Sequence, residues 1–345
     1  MAARTATRRI GTEEAFSIPE VAAKLRDVAR SPSGSSDLPL VKGIYDAAEG
    51  SGRSAFLEGL LDLDDARIRD MDDNGVDVQL LSLTAPGVQM FDADTAVELA
   101  ALANDRLAEV ISRHPTRFAG LASFAPQAPK RAAAEMERAV GELNLNGFVV
   151  NSHTNNEYLD DPKYWPVLEA AEALDACLYI HPRGAAVGLD RQFRHYGLDT
   201  AQWGYGLEVG THAVRMIVAG VFDRFPNLKI CLGHMGEAVH FWLWRIDFMN
   251  DRAQKLGLAP RLELKPSEYF KRNFVITTSG QESDLALDFS IKALGAENVM
   301  WAIDYPYQPT APAVAWMDAA PISDADRELI YHGNAERIFH IPPKA

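Results

Sequence analysis

The chain has 345 residues, of which 47% are hydrophobic and 24% are charged, and this composition is ordinary for a folded globular enzyme. Its net charge of −14 argues against partners such as nucleic acids or anionic membranes, because both reward clustered lysine and arginine. No apolar run approaches the roughly 20 residues that span a bilayer, and no apolar stretch follows the arginines at the start of the sequence, so we expect neither a membrane anchor nor a secretory signal.

Apolar, β-branched runs bounded by turn residues predict strands that alternate with amphipathic helices. The strands are predicted at residues 8–13, 76–84, 117–124, 147–151, 177–181, 229–234, 274–278 and 299–304. Helices are predicted at residues 95–113, 130–143, 165–174, 211–225 and 284–294, with a closing helix at 324–339. This alternation predicts an α/β fold, a parallel (β/α)8 TIM barrel, as one domain over residues 1–345. A doubly wound sheet is the alternative, although no Gly-x-Gly-x-x-Gly follows an early strand.

Two segments interrupt the alternation. More than sixty residues separate the first and second predicted strands, and a connection of this length is usually a functional loop or lid. We therefore expect a lid insertion at about residues 17–70, in which Tyr45 and Arg53 would lie over the strand ends. Residues 184–206, which are rich in glycine and aromatic side chains, predict a second covering loop after the fifth strand.

Four of the predicted strands end in a residue that can bind a metal ion. These residues are Glu13, His181, His234 and Asp304. Because a parallel barrel builds its site at the carboxyl ends of its strands, we expect the four side chains to meet. A carboxylate, an imidazole and a second carboxylate from separate strands suit a divalent cation that keeps positions open for a substrate.

Several nearby residues have both a functional and a structural interpretation. Glu237, three residues after His234, could fix the tautomer of the imidazole, or it could be a carboxylate that favours a helix start. Arg245 could bind a substrate or be a surface cation, and Tyr307 could line a pocket or pack within a loop. Glu14 should point away from the Glu13 side of the strand and support the site from behind.

Two further histidines are interpreted as structural: His153 ends the fourth strand, and His212 lies in an apolar helical pattern. The two cysteines, Cys177 and Cys231, are expected on different sides of the sheet and therefore not in a disulfide. Two reduced, buried thiols fit a cytoplasmic protein. The first strand carries no His-x-His pair, so the sequence gives little support to a binuclear hydrolytic centre.

With these motifs the chain resembles the decarboxylase branch of the amidohydrolase superfamily, which includes γ-resorcylate, 2,3-dihydroxybenzoate, 5-carboxyvanillate and aminocarboxymuconate semialdehyde decarboxylases. The resemblance covers nearly the whole chain and rests on residues 13–16, 83–89, 180–182, 233–237 and 304–307. Within the branch, residues 204–212 look most like those of 5-carboxyvanillate decarboxylases. The semialdehyde decarboxylases keep a histidine pair on the first strand that is missing here.

This resemblance implies a non-oxidative, metal-dependent decarboxylation of 5-carboxyvanillate or a similar hydroxylated aromatic acid, with γ-resorcylate or 2,3-dihydroxybenzoate as alternative substrates. It implies one Mn²⁺, or Zn²⁺ as in some relatives, and a homodimer or homotetramer; no fingerprint of an organic cofactor appears. The implied metal ligands are Glu13, His181 and Asp304, the catalytic residues Asp304, His234 and Glu237, and the substrate-binding residues Tyr45, Arg53, Arg245 and Tyr307.

Two other functions are kept as hypotheses. One is a mononuclear metal hydrolase that acts on a lactone or a ring-cleavage product with water activated near His234, and it would release no CO2. The other is a barrel that binds a metal or a ligand without catalysis. A complete set of acid, ligands and pocket residues argues against the second hypothesis.

Overall fold

The computed structural model describes residues 7–31, 35–46 and 51–343, except for the side chains of residues 52 and 53. Eight parallel strands lie in chain order in one sheet, and each is hydrogen-bonded to the next. They are β1 (Ile10–Phe16), β2 (Val78–Leu83), β3 (Phe118–Ser123), β4 (Gly147–Asn151), β5 (Leu178–His181), β6 (Ile230–Leu232), β7 (Phe274–Thr277) and β8 (Val299–Met300). The eight strands and the (β/α)8 barrel predicted from the sequence are confirmed.

Backbone hydrogen bonds close the barrel between β1 and the residues that follow β8. The N–H groups donate across this seam in three places: Thr12 to Trp301 at 3.1 Å, Asp304 to Glu13 at 3.1 Å and Ala15 to Tyr305 at 2.7 Å. The last strand is shorter than predicted because the Glu14 carboxylate, and not a neighbouring backbone, accepts the N–H groups of Ile303 and Tyr305.

The helices cover the outside of the barrel. They are α1 (Pro19–Arg30), α2 (Leu38–Tyr45), α3 (Gly52–Leu61), α4 (Asp65–Asn74), α5 (Ala93–Arg113), α6 (Pro129–Gly141), α7 (Trp165–Ala173), α8 (Gly204–Val218), α9 (Val221–Arg224), α10 (Leu243–Lys255), α11 (Pro266–Asn273), α12 (Asp284–Leu294), α13 (Thr310–Ala319), α14 (Asp324–Glu328) and α15 (Asn334–Ile338). The helix predicted at 211–225 is two helices, because Gly220 adopts a left-handed φ of 81° between α8 and α9. None of the helices that the structure describes is long and apolar enough to cross a membrane.

The long connection between β1 and β2 is helical. Its described residues form α1 to α4, so the expectation of a loop is wrong in conformation. Each of these helices is short, and buried side chains such as Leu25, Val41 and Met71 attach them to the main hydrophobic core. Burial against the barrel stabilises helices that would be marginal alone in water.

Side chains inside the barrel form a second apolar cluster, which the C-terminal residues cover from below. Ala335, Ile338 and Phe339 of the closing helical segment pack against this cluster, opposite the end at which Glu13 and Asp304 lie. Cys177 and Cys231 both belong to it, and both are free thiols. The expectation that they point to different sides is wrong, because β6 ends at Leu232 and strand alternation does not extend to His234.

Candidate metal centre

Three of the predicted ligands converge at the carboxyl end of the barrel. Glu13 comes from β1, His181 ends β5, and Asp304 follows β8. One ligand atom from each lies within 4.8 Å of the others, which is close enough for a single cation to contact all three. The structure therefore brings together the three residues that were expected, from the strand ends, to bind a metal ion.

The Glu13 carboxylate uses its two oxygens differently. Oε2 accepts hydrogen bonds from three hydroxyl groups, those of Tyr179, Thr277 and Ser279. Oε1 is buried without a hydrogen-bond partner among the described residues, and it lies 3.4 Å from Nε2 of His181 and 3.6 Å from Nε2 of His234. A buried carboxylate oxygen without a donor costs free energy unless a cation or another donor satisfies it, so the donor set fits a divalent metal ion.

His181 presents the ring nitrogen that a metal needs. Its Nδ1 lies 2.8 Å from the carbonyl oxygen of Pro182 and 3.1 Å from Oδ1 of Asn151, so these acceptors assign the ring proton to Nδ1. Burial lowers the pKa of His181, which favours the neutral imidazole. The lone pair of Nε2 is then directed toward Glu13 and is available to a cation.

Asp304 is held in an unusual backbone conformation, with a φ of 75°. Burial, together with the neighbouring Glu13 carboxylate, raises the pKa of Asp304 well above its usual range, although His234 opposes the shift. Burial alone would also raise the pKa of Glu13, but His234 and His181 outweigh it and hold that pKa below its usual range. Two adjacent carboxyl groups thus differ in their tendency to carry a proton, as general acid chemistry requires.

His234 and Glu237 form a hydrogen-bonded pair beside the ligands. Nδ1 of His234 lies 2.7 Å from Oε1 of Glu237, within a turn whose residues 234–238 have left-handed backbone angles. Burial would lower the pKa of His234, but Glu237 and then Glu13 outweigh it and raise the pKa to about 10. Gly236 is required in this turn, because a Cβ there would lie 2.6 Å from Cγ2 of Ile276. The sequence therefore places this imidazole with one nitrogen on Glu237 and the other facing the site.

Tyr45 and Tyr307 lie together at the mouth of the site. The hydroxyl of Tyr307 is 2.6 Å from Oγ1 of Thr84, and its pKa is raised by burial and then by the proximity of Tyr45. Tyr45 is buried on α2, and its hydroxyl lies near that of Ser17 without a well-formed hydrogen bond among the residues that the structure describes. Both phenols are therefore placed where a bound molecule could contact them.

The two predicted arginines are not brought into this cluster. Arg245 lies on the exposed side of α10, and no described residue pairs with its guanidinium. Arg53 is the second residue of α3, but its side chain lies outside the described part of the chain. Their roles in substrate binding remain predictions.

Several supporting residues were not predicted from the sequence. Tyr179 precedes His181 by two positions and so points to the same side of β5, a signal that alternation offered. Thr277 and Ser279 gave no such signal, because only the packing of β7 against the barrel interior directs their hydroxyls at Glu13. His153 and His212 are structural as expected: the first lies 2.9 Å from the carbonyl oxygen of Gly184, and the second accepts the N–H of Leu159 at 3.1 Å.

Comparison with known proteins gives concordant matches. Residues 61–341 match the Amidohydrolase family. The chain is 39% identical over 290 residues to the γ-resorcylate decarboxylase of Polaromonas sp. strain JS666. The aligned region covers 82% of this chain and 89% of the relative. The crystal structure of 5-carboxyvanillate decarboxylase from Sphingomonas paucimobilis superposes with a TM-score of 0.95 at 55% identity, over 97% of this chain and 100% of that one.

A further solved structure bears on the metal. It is a 5-carboxyvanillate decarboxylase from Novosphingobium aromaticivorans in complex with manganese and 4-hydroxy-3-methoxy-5-nitrobenzoic acid. It superposes with a TM-score of 0.93 at 38% identity and covers 97% of this chain and 96% of that one.

Proposed function

We propose, because this chain belongs to the Amidohydrolase family, that it is a metal-dependent decarboxylase of a hydroxylated aromatic carboxylic acid. The observation that carries the proposal is the buried cluster of Glu13, His181 and Asp304, whose ligand atoms lie within 4.8 Å of one another. This cluster lies in a barrel whose sequence is 55% identical to a 5-carboxyvanillate decarboxylase. The reaction class is that of a carbon–carbon lyase.

Glu13, His181 and Asp304 would hold one divalent cation, with manganese as the first choice and zinc as the alternative, since carboxylate and imidazole ligands suit both. When bound, the cation would draw charge from the carboxylate and phenol oxygens of the substrate and orient the ring. No organic cofactor is needed. The variant His181→Ala should lose the metal and the activity together, and full metal occupancy in that variant would contradict the ligand assignment.

The side chains of this site would then deliver one proton to the substrate ring. The carboxyl group of Asp304 gives its proton to the ring carbon that bears the carboxylate, and a C–H bond forms there. The C–C bond to the carboxylate breaks, its electron pair restores the aromatic ring, and CO2 leaves. His234 assists as an imidazolium: its Nδ1–H donates to Glu237 at 2.7 Å, and the raised pKa of about 10 favours a second proton at Nε2, which faces Glu13.

The proposed substrate is 5-carboxyvanillate, on the strength of the similarity to decarboxylases of that name. Tyr45 and Tyr307 would contact the ring substituents, because the two phenols are neighbours and Tyr307 lies close to Asp304. Arg53 and Arg245 are the proposed partners of a second carboxylate, and a charged hydrogen bond of this kind contributes roughly 1.5–3 kcal/mol. Arg245→Ala should then lower kcat/KM for 5-carboxyvanillate by about one to two decades and affect salicylate much less.

The inserted segment at about residues 17–70 is proposed to cover the mouth of the barrel within a single domain. The buried Asp37, immediately before α2, pairs with Arg183 and accepts the N–H of Gly184, just after β5. At the opposite side, Arg67 of α4 lies 4.7 Å from the centre of the Tyr305 ring, just after β8. The segment thus contacts two strand ends that carry ligands, and a substrate would enter beneath it.

A homo-oligomer, a dimer or a tetramer, is proposed from an exposed aromatic patch. The patch consists of Phe241, Trp242, Trp244, Phe248 and Phe289. Within the patch, the Phe241 ring contacts those of Trp242 and Phe289, and the Trp244 ring stacks on that of Phe248. Exposed large aromatic side chains are enriched in protein interfaces, and a second copy of this chain is the proposed occupant. Arg245 lies in the same stretch of sequence, so its substrate-binding role would depend on this assembly.

Sedimentation velocity tests the patch. Trp244, which is 73% exposed, would become Glu in the test variant, and Tyr196, which is 90% exposed and is not part of the patch, would become Glu in the control. Only Trp244→Glu should dissociate the assembly; a monomeric wild type would contradict the proposal.

We also propose a cytoplasmic location, which the two free, buried cysteines support.

The function itself is tested with purified, metal-loaded protein under anaerobic conditions. The protein is offered 5-carboxyvanillate, γ-resorcylate, 2,3-dihydroxybenzoate, salicylate and a panel of lactones, and both CO2 and the products are measured. We expect CO2 release without oxygen, with 5-carboxyvanillate giving the highest kcat/KM. Hydrolysed lactone without CO2 would favour the hydrolase, and no turnover of any compound would favour a binding barrel.

A further inference from the structure

The Glu14 side chain lies behind the metal site and contacts the backbone on both sides of Asp304. Glu14 follows the ligand Glu13 on β1 and is fully buried. Its Oε1 accepts the N–H of Ile303 at 3.0 Å, and its Oε2 accepts the N–H of Tyr305 at 2.9 Å. One carboxylate therefore accepts the N–H groups of the two residues that flank Asp304.

The backbone of Asp304 needs such support. Its φ of 75° lies in the left-handed region, which non-glycine residues rarely adopt and which the surroundings must stabilise. The Glu14 hydrogen bonds fix the N–H groups of the residues before and after Asp304, and the Asp304 N–H itself donates to the Glu13 carbonyl at 3.1 Å. Two adjacent residues of β1 thus act on the site: Glu13 is a proposed ligand, and Glu14 holds the backbone around Asp304, the other carboxylate ligand.

A buried arginine supports the same loop from the inserted segment. Nη2 of Arg67 donates to the carbonyls of Ala15 at 2.8 Å and Gly59 at 3.0 Å. Its guanidinium lies 4.7 Å from the centre of the Tyr305 ring. Tyr305 is therefore held through its backbone by Glu14 and through its ring by Arg67.

We propose that Glu14 is a positioning residue: it sets the direction of the Asp304 carboxyl group and thereby the affinity of the site for its metal. The proposal rests on the proposed function only in naming Asp304 as a ligand and proton donor. Glu14 points away from the site and does not touch the substrate, so its effect has to pass through Asp304.

The variant Glu14→Gln isolates this role. The amide has the same shape, but its NH2 group cannot accept an N–H, so the N–H of either Ile303 or Tyr305 loses its acceptor. We expect Mn²⁺ to bind about 10- to 100-fold more weakly, and kcat at saturating metal to fall while KM changes little. Mn²⁺ affinity is measured by electron paramagnetic resonance of the free ion, which needs no substrate.

Glu208→Gln is the matched control. Glu208 is equally buried and also accepts a backbone N–H, from Ala186 at 3.0 Å, but it has no contact with Asp304. Both variants should lower the melting temperature, and only Glu14→Gln should change the Mn²⁺ affinity. Equal affinities in Glu14→Gln and wild type, or an equal loss in both variants, would overturn the proposal.

A double-mutant cycle shows whether Glu14 acts through Asp304. In an Asp304→Ala background, which has no ligand atom at position 304, Glu14→Gln should cause little further loss of Mn²⁺ affinity, whereas full additivity would overturn the proposal. If Glu14→Gln does not fold, Arg67→Lys replaces it and should weaken Mn²⁺ binding in the same direction; unchanged binding would then overturn the proposal. A wild-type protein that binds Mn²⁺ but releases no CO2 would contradict the proposed function and leave this positioning role intact.

Discussion

The two oxygens of the Glu13 carboxylate have different roles: one holds the side chain in place, and the other faces the proposed metal site. Three hydroxyl donors satisfy Oε2, while Oε1 faces the two imidazoles without a donor among the described residues. A carboxylate fixed in this way loses little conformational freedom when it binds a cation. The hydroxyls of Tyr179, Thr277 and Ser279 should therefore contribute to metal affinity although none of them is a ligand.

The variant Tyr179→Phe tests this contribution. It removes one donor from Oε2 of Glu13 and keeps the ring, so Mn²⁺ affinity should fall by about tenfold with only a small loss of stability. Tyr331→Phe is the control, because it removes another buried phenol–carboxylate hydrogen bond, to Asp318 at 2.8 Å, outside the site. Titration of both variants with Mn²⁺ distinguishes them, and equal affinities would contradict the role of Tyr179.

The variant Asp304→Asn should impair chemistry more than binding. An amide still offers an oxygen to the cation but cannot donate a carboxylic proton, so kcat should fall by about 10²- to 10⁴-fold. The dissociation constant of an unreactive substrate analogue should change far less, once metal occupancy has been matched. Near-normal turnover of the metal-loaded variant would transfer the acid role to another group, with His234 as the first candidate.

The sequence predicted that the three proposed ligands converge, but it did not predict most of the residues that hold them in place. Glu13, His181 and Asp304 were predictable because strand ends of a parallel barrel converge whatever the details of packing. The exposed position of Arg245 was not predictable, since a residue inside a helix does not reveal which neighbour covers its face. The same limit applies to the hydroxyls of Thr277 and Ser279, whose directions depend on how neighbouring strands pack.

Among the secondary-structure elements, the inserted helices α1 to α4 belong to the segment that contacts the residues after β5 and β8. They were predicted as a loop because each is short and because the low-complexity residues 31–37 hide the helical pattern. Their attachment to the barrel is specific. Burial alone would raise the pKa of Asp37, but Arg183 outweighs it and holds the pKa below its usual range, so a charged pair persists in the interior.

The variant Asp37→Asn should loosen this attachment. It leaves the Arg183 guanidinium buried without its counter-charge, so the free energy of unfolding should fall by about 3–5 kcal/mol. KM should rise, because the inserted segment would no longer be fixed to the residues after His181. Urea unfolding and steady-state kinetics provide the measurements. Arg30→Gln, which breaks an exposed pair with Asp46, is the control and should change stability by less than about 1 kcal/mol.

At the scale of the whole molecule, buried neutral histidines predict sensitivity to acid. Burial lowers the pKa of His240 to about 4 and that of His212 to about 3. The unfolded chain, with histidine pKa values near about 6.5, therefore takes up protons that the folded chain cannot. Stability from this source is complete above about pH 6.5 and is lost as the pH falls toward the folded values, by at most about 1.4 kcal/mol per pH unit for each histidine.

The variant His240→Phe should reduce this dependence. The new ring would occupy the place of the imidazole between Phe270 and Phe289, and Ser290 would keep its hydrogen bond to the carbonyl of Ala286. Unfolding free energies of the wild type and the variant are compared at pH 5 and pH 7.5, with a chelator in every sample. The wild type should lose more stability than the variant between these two values; equal losses would refute the role of His240.

The central claim is that a divalent cation held by Glu13, His181 and Asp304 enables this chain to remove CO2 from an aromatic acid. The most direct measurement follows ¹³CO2 from 5-carboxyvanillate labelled in its 5-carboxyl group, using anaerobic protein that has been stripped of metal and then titrated with Mn²⁺. We predict no release before titration and full release at one Mn²⁺ per chain, with vanillate as the product. Release that is independent of added metal, or a fully loaded protein that leaves this acid and its dihydroxybenzoate analogues intact, would contradict the account.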